Sequence, residues 1–170
     1  GFRYFVIRRA TPANAEVPAP AYAEATRRAA LLGLVGALLG LVHVGTALPR
    51  MAARLGTTVA GAVTGSFLPA AWVFLSVLAL LGFALAAARR PIGWPLAAIG
   101  VVAAPLREAM VGNWLRLVNP IHVLAGSFWI GTLFVILIAG LGAASKTARP
   151  ADRPTMVAAM INAFSPLALL

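Results

Sequence analysis

Residues 31–50 read LLGLVGALLGLVHVGTALPR and residues 119–141 read NPIHVLAGSFWIGTLFVILIAGL. Each offers an uncharged apolar run of roughly 20 residues, the length a helix needs to cross the hydrocarbon core of a bilayer. Each also carries one histidine, His43 or His122, and the chain has no others. A polar side chain able to bind a metal is costly inside a span and is a functional candidate on that ground.

Composition agrees with a membrane reading. The 170 residues are 61% hydrophobic and 11% charged, where a soluble domain carries about 25% charged residues. The expected fold class is all-α, a polytopic transmembrane helix bundle. Five apolar segments are expected: residues 29–48, 66–88, 91–105, 120–144, and a run from about 155 onward. In lipid each must be a helix, because helices and closed barrels alone satisfy their own backbone groups, and no stretch alternates with the period of a barrel strand. Residues 49–65, 106–119 and 145–154 read as loops, and Arg89-Arg90 as a tight turn. Residues 1–28 read as the basic end of a preceding span (GFRYFVIRR) followed by a cytoplasmic Pro/Ala-rich linker (TPANAEVPAPAYAEA), and residues 29–170 as the transmembrane domain. The apolar run MVAAMINAFSPLALL at the other end reads as part of a further span, so the chain reads as a piece of a larger bundle.

The net charge of +10 comes from 14 Lys+Arg against 4 Asp+Glu. These charges sort by side rather than forming a nucleic-acid surface. Arg3, Arg8, Arg9, Arg27, Arg28, Arg89, Arg90, Lys146, Arg149 and Arg153 fall on one side; Arg50, Arg54, Arg107 and Arg116 fall on the other. The richer side is expected to be cytoplasmic. Cysteine is absent, which excludes disulfides, thiolate metal sites and iron–sulfur clusters within the chain.

With this orientation both histidines lie near the outer face, His43 toward the end of its segment and His122 in the first turn of its own. At about 1.5 Å rise per residue their depths differ by about one turn, which suggests one shared site. Met51 and Met110, in the expected outer loops, are additional candidate ligands; Met156 and Met160 lie at the cytoplasmic end. Imidazole binds copper, zinc and haem iron, and thioether sulfur selects for Cu(I). His122, Gly126, Trp129 and Leu133 share one helical face, so Gly126 offers room for a helix beside the histidine. The plainer readings stand beside these. Each histidine can simply bond a carbonyl or a water, and Gly33, Gly36 and Gly40 can serve packing alone. Trp72, Trp94 and Trp114 read as interfacial anchors. Glu108, the only acidic residue on the outer side, can pair with Arg107 or Arg116. No phosphate-binding loop, HExxH or GxSxG element occurs, and no enzymatic activity is expected.

The stretch IHVLAGSFWIGTLFVI resembles the signature of the bacterial copper-resistance D (CopD-like) family, in which a histidine opens a span and is followed by small residues, then Trp, an aliphatic residue and Gly. His122, Ala125, Gly126, Trp129, Ile130 and Gly131 match that pattern. FSPLAL, from Phe164, resembles the start of the family's next span, and GFRYFVIRR the end of an early one. The family often has Gly-His-Ala before the loop leading to the His-Trp-Gly span; here that region reads PLREAMVGNW, without histidine. The resemblance implies a multi-pass protein of the bacterial inner membrane that transports or regulates copper. With the matching depth of the two histidines it points to a His43/His122 copper site near the periplasmic face, with Gly126, Trp129 and Gly131 packing beside it, and it implies contact with lipid and a periplasmic copper carrier. Two alternatives remain open: a b-type haem held by the same two histidines for electron transfer, and a structural membrane subunit in which both are bland.

Overall fold

The computed structural model describes residues 6–7, 10, 19–107 and 114–168. Among these the regular structure is all helical. Six helices follow one another: α1 (Ala19–Arg54), α2 (Val59–Gly65), α3 (Phe67–Ala87), α4 (Gly93–Leu106), α5 (Val118–Thr147) and α6 (Arg153–Ala168). Three of them, α1, α3 and α5, are long and apolar enough to cross a membrane, as in a multi-pass membrane protein. Large apolar side chains on them face outward, among them Leu39, Val42, Phe74, Leu81, Ile130 and Phe134. That surface suits lipid and is poorly suited to water. The 14 residues of α4 span about 21 Å at 1.5 Å per residue, less than the roughly 30 Å hydrocarbon core.

The expected segments are recovered, with corrections at their ends. Residues 49–65 do not form a loop. α1 continues through Pro49 to Arg54, because ArgMetAlaAlaArg favours helix and outweighs the one backbone bond that proline forfeits. It stops at Gly56, whose φ of 64° suits the left-handed position after a helix end. There the Gly56 N–H donates to the Ala53 carbonyl (3.1 Å) and the Thr57 N–H to the Ala52 carbonyl (3.0 Å). Thr58 then caps α2, its Oγ1 accepting from the Gly61 N–H at 3.0 Å. At the other end, α1 begins at Ala19, so the expected linker is helical from there on.

The structure divides into two compact units, one drawn from Gly1–Leu32 and Ala125–Leu170, the other from Gly33–Leu124. In the second unit, α3 and α4 form an antiparallel hairpin at backbone contact distance. A Cβ on Gly100 would lie 2.6 Å from the Ala79 nitrogen and 2.6 Å from the Leu75 carbonyl oxygen. One on Gly82 would meet the Ala97 backbone, and one on Gly93 the Ala86 backbone nitrogen. The turn between the helices is closed by Arg90 N–H to Leu85 O (2.8 Å) and Arg89 N–H to Ala86 O (3.0 Å). Arg89 occupies the left-handed position with φ 62°, where glycine is usual. Gly33 of α1 faces the Phe83 ring of α3 in the same way that small residues let membrane helices meet.

In the first unit, Ile136, Met156 and Met160 are fully buried, so the two methionines fill the core between α5 and α6. A π turn at Ile136–Gly140 interrupts α5, and a Cβ on Gly140 would come 2.9 Å from the Met160 sulfur. Glu24 pairs with Arg27 (3.1 Å) and Arg28 (2.9 Å), and Arg149 with Asp152 (2.7 Å).

Gly82→Ala is expected to destabilise the protein by about 1–3 kcal/mol, because backbone cannot give way to the added methyl as a side chain can. Gly36→Ala, with nothing within 4 Å, should be neutral or stabilising by up to about 1 kcal/mol. Thermal unfolding in detergent distinguishes the two. By the same measurement Arg89→Gly should stabilise the hairpin by about 0.5–1 kcal/mol, since it removes the left-handed strain of a side chain.

Candidate functional site

His43 lies on the exposed surface of α1, two turns before Arg50. Its ring meets Trp72 of α3 edge-on, with centroids 5.8 Å apart and planes at 69°. The same indole carries the Arg107 guanidinium on its face, 4.6 Å from the ring centroid. Arg107 also donates from Nη1 to the Ala104 carbonyl at 2.6 Å. The hairpin register explains the meeting: the pairing that sets Gly93 against Ala86, Gly82 against Ala97 and Gly100 against Ala79 also sets Arg107 level with Trp72. The sequence presented Trp72 as an interfacial anchor, whereas the structure places it between a histidine and an arginine. The available signal was depth, because His43 and Trp72 both fall a few residues inside the neighbouring ends of adjacent segments.

Beyond this stack lies a cavity of about 490 Å³ lined by Ala47, Arg50, Met51, Arg54, Leu55, Trp72 and Arg107. His43, Ala47, Arg50 and Arg54 recur at helical spacing on one face of α1. The extension of α1 is what creates this wall, since in a loop Arg50 and Arg54 would have no fixed direction. It also places Met51 on a helix and not in a loop, eight positions beyond His43 and so about 12 Å further along the axis.

His122 is exposed in the first turns of α5. Among the described residues no hydrogen bond engages either imidazole. Both histidines belong to the Gly33–Leu124 unit. No group of three or more His, Cys, Asp or Glu able to hold a metal ion occurs among the described residues. Met110 and Glu108 lie outside the described residues. Among the described residues nothing lies within 4 Å of where a Cβ on Gly126 or Gly131 would stand. Trp129 leans on Phe164 of α6, with centroids 6.5 Å apart, and Trp94 meets Phe83 edge-on at 6.4 Å. Comparison with known protein families, with curated proteins and with solved structures gave no match.

The double contact on Trp72 has a measurable consequence. Trp72→Leu should lower stability by about 1–3 kcal/mol, from loss of the ring contact and the cation–π contact together. Trp72→Phe should recover part of that loss. Equal unfolding temperatures for wild type and Trp72→Leu would contradict the stack.

Proposed function

We propose that this protein is a copper-handling, multi-pass protein of the bacterial inner membrane, related to the copper-resistance D family, with His43 and His122 as copper ligands near the outer face. In this reading α1, α3 and α5 span the bilayer, α4 and α6 complete five segments, and copper is the cargo. The observation that carries the proposal is that both histidines are exposed and that neither imidazole is engaged by a hydrogen bond among the described residues. An imidazole occupied with a carbonyl would fit the plainer reading; these two are available as ligands. The His122–Gly131 motif adds the resemblance. Two imidazoles suffice for linear Cu(I), and Met51, Met110, a carrier protein or water can supply further donors.

Metal analysis and a visible absorption spectrum of the purified protein, wild type and His43→Ala/His122→Ala, test this. Copper bound to the wild type and reduced at least about tenfold in the double variant, with no Soret band, is the expected result. A Soret band that the variant loses would replace copper with haem, and absence of both signals would leave a structural subunit.

A further inference from the structure

We propose that the cavity between α1, α3 and α4 is a binding site for a phosphate group, held by Arg50, Arg54 and Arg107 against the Trp72 indole. This goes beyond the copper reading and does not depend on it.

The outer side carries four arginines by the charge sorting above, and three of them line this one cavity. Two come from α1 and one from the end of α4, more than fifty positions later, so convergence is a product of the fold and not of local sequence. Arg50 and Arg54 are one helical turn apart on the same face, where like charges repel; an anion between them and Arg107 offsets that repulsion. Guanidinium groups offer planar, forked donors that match phosphate oxygens. Arg107 is already oriented by Ala104 and Trp72, which reduces the ordering needed on binding. The remaining wall, Ala47, Met51, Leu55 and Trp72, is apolar and suits the carbon skeleton attached to a phosphate. The volume of about 490 Å³ falls within the usual range for small-molecule pockets, about 300–1,000 Å³. Two sources share this chemistry: the headgroup of a phospholipid and free phosphate.

Native mass spectrometry of the delipidated full chain in detergent reads binding of two probes, phosphatidylglycerol and inorganic phosphate. Arg50→Gln and Arg54→Gln should each weaken binding about tenfold, and Arg116→Gln, an outer arginine outside the cavity, should change it less than twofold. Phosphatidylglycerol binding with this pattern identifies a lipid headgroup, and the same pattern for inorganic phosphate alone identifies a soluble anion; either supports the site. Both α1 arginines are exposed, so unfolding midpoints should stay at the wild-type value. Should a glutamine variant fail to fold, Arg54→Lys, which keeps the charge and loses the fork, should still bind more weakly than wild type. Undiminished binding in the Arg50→Gln/Arg54→Gln variant would overturn the proposal. So would failure of the wild type to bind either probe, or an equal loss in Arg116→Gln.

Discussion

The rest of the Gly33–Leu124 unit depends on the backbone approach of α3 and α4 at Gly82, Gly93 and Gly100. Lipid tails are as apolar as leucine, so helices in a membrane gain little from hiding apolar side chains from one another. Close packing through small residues takes over that role. Three glycines at one register leave the hairpin a single alignment. That alignment places the Arg89-Arg90 turn at one end and brings Arg107 to Trp72 at the other. The indole in turn meets His43, which ties α1 to the hairpin at the same level as the cavity.

Charge then gives the two ends of the hairpin different characters. At the turn, an arginine occupies a left-handed position that glycine would fill with less strain. Retaining a cation there is consistent with the positive-inside bias of membrane loops, a topological signal set against a local backbone cost of about 1 kcal/mol. At the opposite end three arginines line one cavity. That concentration of positive charge repels metal cations, so in the proposed copper function the cavity is not the route by which copper reaches His43. On the two proposals together, the arginine cavity and the two imidazoles would serve species of opposite sign.

Much of this was legible in the sequence. The runs around His43 and His122 announced helices by length and lack of charge, and Arg89-Arg90 announced the turn between α3 and α4. α1 runs past the expected segment end because the strong helix formers after Pro49 carry the helix to Arg54. The arginine wall depends on that extension: i, i+4, i+7, i+11 spacing has meaning only if the residues are helical. The contact of Trp72 with His43 and Arg107 lay beyond sequence reading, since it follows from the α3–α4 register, which glycine positions permit but do not announce. Gly36 and Gly40 look no different in sequence from Gly33, yet among the described residues Gly33 alone of the three meets a neighbour, Phe83.

The central claim is that the hairpin carries Arg89-Arg90 and the arginine cavity to opposite membrane faces. The absence of cysteine makes the direct test clean: single cysteines at Leu55, beside the cavity, and at Arg90, in the turn, probed with a membrane-impermeant maleimide in intact spheroplasts. Labelling at Leu55→Cys before permeabilisation, and at Arg90→Cys only after it, is the predicted result. Labelling of both positions from the same side, or of Arg90→Cys alone from outside, would contradict the account.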